Sequence, residues 1–234
     1  LIRILRRRIE PAELTERERA EILVRSEQNI ESVRESVREI TEGVREGGDA
    51  ALREYTARFD GVDLGDRPIA VSPEELDAAA GLISDEVRAA IEFAVDNVVR
   101  VHEAQLDRSL HTTEVRPGVY AGERATPIPS AGLYVPHGRG SFPSMLYMLA
   151  VPARVAGVEH VAVVTPPSRD GSVDPACLYA ARYVGVDTVY RVGGAQAIAA
   201  LAYGTESVAA VSKLFGPGSM YVASAKREVA GIVD

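Results

Sequence analysis

The sequence predicts an α/β fold, in which a helical N-terminal region is followed by a Rossmann-like parallel sheet flanked by helices. Before about Glu114, apolar residues recur every three or four positions, as they do in amphipathic helices. After Ser130, short apolar runs alternate with helix-like stretches, which is the pattern of βαβ units and a parallel sheet. We therefore expect two parts: residues 1–129 as the first part of a discontinuous α/β domain, and residues 130–234 as a Rossmann-like domain.

The first helices are predicted from their start signals and their apolar stripes. Thr15 and Glu18 have the spacing of a capping box. A stripe with helical spacing follows, formed by Ile30, Val33, Val37, Ile40 and Val44. We expect Gly47 and Gly48 to end this helix and Asp49 to cap the next one.

Two more helices are predicted before the change of pattern. Ser72 is a candidate cap, Pro73 suits the first helical position, and Glu74 and Glu75 place acidic groups in the first turn. A longer helix is expected over residues 85–105, with one face formed by Val87, Ile91, Val95, Val98 and His102. These patterns indicate packing and solvated charge, and we assign no chemistry to them.

A short hairpin, turning at Pro117 and Gly118, is expected within residues 114–129. The runs that read as strands then cover residues 132–135, 160–165, 188–192 and 211–215. The stretches that read as helices cover residues 144–156, 174–184, 195–203 and 220–229.

Composition narrows the function classes. The net charge of -8 argues against nucleic acid as the main partner. No apolar run approaches the roughly 20 residues that a membrane-spanning helix needs, so we expect no membrane partner. Cys177 is the only cysteine and cannot form an internal disulfide, which favours a cytoplasmic setting. We predict that Cys177 is a small core residue on a helix.

The candidate ligand loops follow the predicted strands. Ligands bind beyond the carboxyl ends of the strands in open parallel sheets, and the turns there cover residues 134–140, 165–167, 193–196 and 216–219. Glycines at such turns let backbone amides approach an anion, and the next helix adds its positive N-terminus. Neither a G-x-G-x-x-G nor a Walker motif is present. The residues alone leave open a nucleotide-type cofactor or close-packed turns without a ligand.

Several longer motifs carry a family resemblance. They are Gly-Leu-Tyr-Val-Pro at residues 132–136, Phe-Pro-Ser at 142–144, the Ala-Val-Pro-Ala-Arg-Val-Ala-Gly run at 150–157, Thr-Pro-Pro at 165–167, the Gly-Gly-Ala-Gln block at 192–206 and Lys-Leu-Phe-Gly-Pro-Gly at 213–218. In the helical half, Gly-Asp-Ala-Ala-Leu at residues 48–52 and the pair Phe59 and Asp60 add to them. Together these motifs closely resemble the histidinol dehydrogenase family, over nearly the whole chain but only about the first half of a full-length member.

The resemblance implies a cytoplasmic, homodimeric enzyme of histidine biosynthesis. It implies oxidation of L-histidinol to L-histidine through an aldehyde, with two NAD molecules used and one zinc ion in each site. The region of residues 130–234 is then the NAD-binding domain. Two alternatives are open: a paralogue that oxidises another small polar alcohol with the same cofactor and metal, and a non-catalytic nucleotide-binding module.

The resemblance places three NAD-contacting positions in this chain, at Tyr134, Gln196 and Ser219. Ser219 stands where the family has asparagine, and a serine lacks the amide donor pair of that side chain. His137 is a second departure, because the family more often has glycine there. A lone loop histidine is usually solvated, and we expect Arg139 to be the better anion partner in this loop.

The resemblance places no catalytic residue and no zinc ligand in this chain. None of His102, His111, His137 and His160 has metal-ligand spacing with another ligand type. The chain is therefore expected to be an N-terminal portion that holds some NAD contacts and is inactive alone. We also expect the stripe of Ile30, Val33, Val37 and Ile40 to be exposed unless a partner covers it.

Overall fold

The predicted parallel sheet is present, with helices on both of its faces, so the α/β fold class is confirmed. The structure is a computed structural model and describes residues 14–23, 30–107, 109–137 and 140–234. The four strands of the parallel sheet are β3 (Ser130–Tyr134), β4 (His160–Val164), β5 (Thr188–Tyr190) and β6 (Lys213–Phe215). Their order in the sheet is β5-β4-β3-β6.

The helices come from both halves of the chain. Those of the first half are α1 (Glu16–Leu23), α2 (Arg34–Tyr55), α3 (Pro73–Ala78) and α4 (Asp85–Gln105). Short turns of 3-10 helix cover Ile30–Val33 and Ala79–Leu82, and a π-helical turn covers Thr56–Asp60. Those of the second half are α5 (Pro143–Ala156), α6 (Pro175–Val184), α7 (Gly194–Tyr203) and α8 (Met220–Glu228).

Alternation along each strand divides the core into two layers. In β3, Ala131 and Leu133 pack in the layer formed with α4, α5 and α6, whereas Tyr134 packs in the layer formed with α2, α7 and α8. Val163 and Val164 of β4 divide in the same way. Both faces of the sheet are thus buried, as the continuous apolar strand sequences require.

The expected exposure of the α2 stripe is wrong. Val33, Val37 and Ile40 are buried, and Ile30 is half-buried. The reason is that α2 packs on α7 and α8 of the same chain, so elements of the second half cover its apolar face.

The predicted interruption of the helix at Gly48 is present, but the segment after it is not capped as predicted. Gly48 is non-helical, with φ 53° and ψ -135°, and it kinks α2 rather than ending it. The predicted cap at Asp49 is wrong: its carboxylate accepts hydrogen bonds from Thr205 and Ser207. The Asp49 amide instead donates to Glu206 Oε2 at 2.8 Å, so a carboxylate from the second half meets the start of the new segment.

Other predicted start signals are confirmed. Thr15 and Glu18 form the reciprocal bonds of a capping box. Ser72 and Glu75 do the same at the start of α3. Cys177 is buried on α6, and burial raises the pKa of its thiol.

The predicted hairpin is present and begins earlier than expected. Strands β1 (His111–Arg116) and β2 (Val119–Glu123) pair antiparallel around the turn at Gly118, whose φ is 75°. Every residue of both strands is exposed.

The first half also joins the edge of the parallel sheet. Residues 69–71 lie antiparallel to β5, with the Val71 amide donating to the Val189 carbonyl at 2.8 Å and the Arg191 amide donating to the Ile69 carbonyl at 2.9 Å. At the other edge, the Leu214 amide of β6 donates to the Asp234 carbonyl at 2.7 Å. Among the residues described, no helix is both long enough and apolar enough to cross a membrane.

Candidate functional site

The four candidate loops lie on the same side of the sheet, beyond the carboxyl ends of the strands, because the strands that they follow are parallel. The connection after β5 passes through α7 to the far side of β3, where β6 lies. The strand order therefore reverses between β3 and β6. A crevice beyond the carboxyl ends at such a switch point is the usual ligand site of an open α/β sheet.

Tyr134 joins two of these strand ends. It is the last residue of β3, and its side chain is 5% exposed. Its hydroxyl accepts a hydrogen bond of 3.2 Å from the Gly194 amide, at the start of α7. Burial raises the pKa of Tyr134, so its hydroxyl stays protonated at neutral pH.

Gln196 lies in the first turn of α7 and is 1% exposed. Its Nε2 donates to Asp60 Oδ2 at 3.5 Å. This contact joins the end of the π-helical turn, Thr56–Asp60, to the loop after β5. Tyr134 and Gln196 are thus brought together around Gly194.

Ser219, unlike this pair, is exposed. It precedes the first residue of α8 with an extended backbone, and among the described residues its side chain makes no capping hydrogen bond. Lys226, in the last turn of α8, donates from Nζ to the Gly216 carbonyl at 2.6 Å and holds the loop that leads to Ser219. Burial lowers the pKa of Lys226.

Packing within the chain accounts for the glycines of these loops. A Cβ at Gly193 would overlap Pro166 of the loop after β4, and a Cβ at Gly216 would overlap the Tyr134 backbone. Gly194 has φ 64°, and the space of its missing Cβ is taken by the Gln196 amide. The glycines therefore explain how closely the strand ends approach one another, and by themselves they do not indicate a ligand.

Asp60 is the functional candidate that the residue patterns missed. Asp60 is half-buried, and burial raises the pKa of its carboxyl to about 6. The only sequence signal was its place in the Phe59 and Asp60 pair of the family resemblance, because nothing in periodicity or spacing marks the end of an irregular helical turn.

The other loop predictions have mixed outcomes. His137 is half-buried after β3. The predicted anion partner Arg139 lies outside the described residues. Within the ranges that the structure describes, no group of three or more His, Cys, Asp or Glu side chains is arranged to hold a metal ion.

The fold and the loops at the carboxyl ends of its strands define a Rossmann-like α/β protein. Its candidate ligand site lies beyond the carboxyl ends of β3 and β6. Comparison with known proteins is more specific. The family model described as histidinol dehydrogenase matches residues 23–234. The chain belongs to the histidinol dehydrogenase family.

The similar proteins include enzymes and homologues under one family name. The histidinol dehydrogenase of Synechocystis sp. is 48% identical over 221 residues, which is 94% of this chain and 51% of that protein. A Rhizobium meliloti protein named histidinol dehydrogenase homolog is 48% identical over 225 residues, 96% of this chain and 49% of its own length. The chain spans about half the length of the curated relatives it matches.

A solved structure agrees with the fold. The crystal structure of histidinol dehydrogenase from Elizabethkingia anophelis superposes with a TM-score of 0.81 at 36% sequence identity. The match covers 86% of this chain and 46% of that one.

Proposed function

We propose that this protein takes part in the NAD-dependent, zinc-requiring oxidation of L-histidinol to L-histidine. We propose also that NAD binds at the carboxyl ends of β3 and β6. The observation that carries the proposal is the family match over residues 23–234, which includes every strand-end loop of the candidate site. A homodimeric, cytoplasmic enzyme is part of the same proposal.

NAD would supply the hydride acceptor for each oxidation step. The residues proposed to hold it differ in their access. Ser219 offers an exposed hydroxyl at the N-terminus of α8, where a helix favours an anion such as a pyrophosphate. The Tyr134 hydroxyl and the Gln196 amide are buried against Gly194 and Asp60. The Tyr134 hydroxyl and the Gln196 amide nitrogen would contact NAD only by giving up these partners, whereas the Gln196 carbonyl oxygen faces the Gly194 turn.

Zinc has no fitting site among the described residues, since no cluster of ligand side chains is present there. The described residues therefore supply no zinc ligand set. We propose no general base among the residues of this chain.

Because this chain spans about half the length of its relatives, the test is an assay of the purified full-length protein with L-histidinol and NAD. We expect two NADH for each L-histidine formed, and loss of this activity on treatment with a chelator. The absence of NADH formation from histidinol, with NADH formed from another small polar alcohol, would overturn the substrate and favour the paralogue. NAD binding without oxidation of any alcohol would favour a non-catalytic module.

The second candidate function is that of a paralogue which oxidises another small polar alcohol, and one comparison favours it. Two Rhizobium meliloti relatives match almost equally, the one named homolog at 48% identity and the one named histidinol dehydrogenase at 47%. Overall similarity does not separate the two classes, and Ser219 and His137 depart from the family pattern at the candidate site.

A further inference from the structure

The end of α2 is irregular at the point where it approaches the candidate site. Residues Thr56–Asp60 form a π-helical turn, and Gly61 follows with a left-handed φ of 69°. π-helical turns are rare, and they frequently occur at functional sites because the extra residue re-aims the side chains that follow. Here the turn ends on Asp60 and places its carboxyl against Gln196 of α7.

Asp60 has an amide as its partner rather than a cation. The one hydrogen bond that the structure gives its carboxyl is the 3.5 Å contact from Gln196 Nε2. The guanidinium of the neighbouring Arg58 lies 5.1 Å from the centre of the Phe59 ring, as in a cation–π contact. Arg53 donates to backbone carbonyls of the following loop.

Within the part of the chain that the structure describes, the start of α7 and the end of β3, which lie next to Asp60, add no opposite charge. Helix α7 contains no charged side chain, and its only ionisable group is Tyr203. The end of β3 contributes Tyr134, a neutral hydroxyl whose pKa the Asp60 charge helps to raise, after the larger effect of burial. Burial is accordingly what raises the pKa of Asp60 to about 6.

The contact between Asp60 and Gln196 has a direction. An ionised carboxylate only accepts hydrogen bonds, whereas a primary amide has a donating end and an accepting end. Ionised Asp60 therefore selects the donating end of Gln196. The carbonyl oxygen of Gln196 then lies over Gly194, in the space that a Cβ there would occupy.

We propose that Asp60 is a positioning residue, which holds the Gln196 amide with its carbonyl oxygen towards the Gly194 turn. In this orientation the turn carries a hydrogen-bond acceptor that suits a donor group of the ligand, such as a ribose hydroxyl. The ligand part of this inference rests on the proposed NAD function. The orientation part concerns only this chain. A protonated Asp60 both donates and accepts, so the amide can then turn either end towards it, and the selection is lost.

The orientation part is tested without ligand, by nuclear magnetic resonance of the Gln196 side-chain amide in the otherwise unmodified protein between pH 5 and 8. We expect its ¹H and ¹⁵N shifts to titrate with a midpoint near the Asp60 pKa of about 6. The titration should be absent in Asp60→Asn and retained in Asp66→Asn, a matched change at an exposed acid six residues later. Shifts that stay constant with pH in the unmodified protein, or that titrate equally in Asp60→Asn, would overturn the inference.

The ligand part is tested by calorimetric titration with NAD. We expect unmodified protein to bind about three- to tenfold more weakly at pH 5.5 than at pH 7.5, the ratio that one lost neutral hydrogen bond gives. Asp60→Asn should show the weaker affinity at both values, and Asp66→Asn should follow the unmodified protein. Equal affinity at both pH values in the unmodified protein would overturn the role in ligand matching. No NAD binding at either pH would overturn the proposed NAD function and this ligand role together, while the ligand-free titration would still decide the orientation.

Discussion

The Arg191 guanidinium is fully buried and paired with the Glu75 carboxylate, with 2.5 Å between Nη2 and Oε2. Glu75 Oε2 also accepts the Ser72 amide at 3.1 Å, which completes the capping box of α3. One carboxylate thus closes the start of a helix in the first half and neutralises the end of β5 in the second. Arg191 also donates to the carbonyls of Ala70 and Gly171, and its Nε has no hydrogen-bond partner among the described residues.

Glu75→Gln is expected to lower the free energy of unfolding by about 2–3 kcal/mol. Removing the charge that pairs a buried cation is costly, and the partial exposure of Glu75 reduces that cost below the usual 3–5 kcal/mol. Urea denaturation measures the change, with Glu74→Gln as the control because Glu74 is exposed in the same helical turn. Equal losses in the two variants would contradict the importance of the buried pair.

The same pair predicts an acid limit for the fold. The hydrogen bond from Arg191 lowers the pKa of Glu75 below its ordinary value. A lowered pKa in the folded state gives stability that is complete above the unfolded pKa and is lost as the pH falls through the folded one. The urea midpoint of the unmodified protein should therefore decrease as the pH is lowered below about 4. In Glu75→Gln, the decrease of the midpoint with pH should be shallower.

Asp49→Asn is expected to destabilise the protein by about 1–2 kcal/mol, less than the full worth of hydrogen bonds to a charged group because the asparagine keeps one accepting oxygen. In the unmodified protein, burial raises the pKa of Asp49, but hydrogen bonds from Ser207 and Thr205 outweigh it and lower the pKa overall. The change is measured against Glu46→Gln, an exposed acid one turn earlier on α2. No difference between the two variants would show that the contact of α2 with the loop after α7 contributes little.

Gly193→Ala is expected to destabilise the fold by about 1–3 kcal/mol, the usual cost of overpacking. The added methyl group would overlap Pro166, which lies in a short loop after a buried strand and has little room to move. Gly81→Ala is the control, because a Cβ there meets no atom within 4 Å. Thermal unfolding compares the two, and an equal effect in both would mean that the loops after β4 and β5 are not in close contact.

Asp60→Asn is expected to stabilise the protein above pH 7. Below about pH 4, Asp60 is already neutral, so removing its charge should leave the stability unchanged. Its folded pKa of about 6 is raised, so the acid contributes relative stability at low pH that is lost as the pH rises through 6. We expect an increase in melting temperature of about 2–4 °C at pH 8, which corresponds to about 1 kcal/mol for a chain of this size after allowance for solvent screening. A melting temperature that falls at pH 8 would contradict the cost assigned to the buried charge.

The parts of the structure that sequence predicted well are those set by local chemistry. The capping box at Ser72 and Glu75 and the helix over residues 85–105 depend on neighbours a few positions away, and both are present. The strand-end loops were also located correctly, since buried parallel strands have continuous apolar sequences.

The parts that sequence missed depend on contacts between distant residues. Arg191 gives no sign that its partner is Glu75, which lies 116 positions earlier. Asp49 has the sequence of a helix cap, yet Thr205 and Ser207 compete for its carboxylate. The predicted exposure of Val37 failed for the same reason, because its cover comes from α7 and α8, whose docking no local pattern specifies.

The most direct test of the central claim is a map of NAD binding on the protein by amide chemical-shift perturbation. We predict that shifts concentrate at the carboxyl-end loops, at Gly194, Gln196 and Ser219, while Ser130 and His160 at the opposite ends of β3 and β4 stay unchanged. Shifts confined to those opposite ends, or no shifts at millimolar NAD, would contradict the claim that this edge of the sheet is the cofactor site.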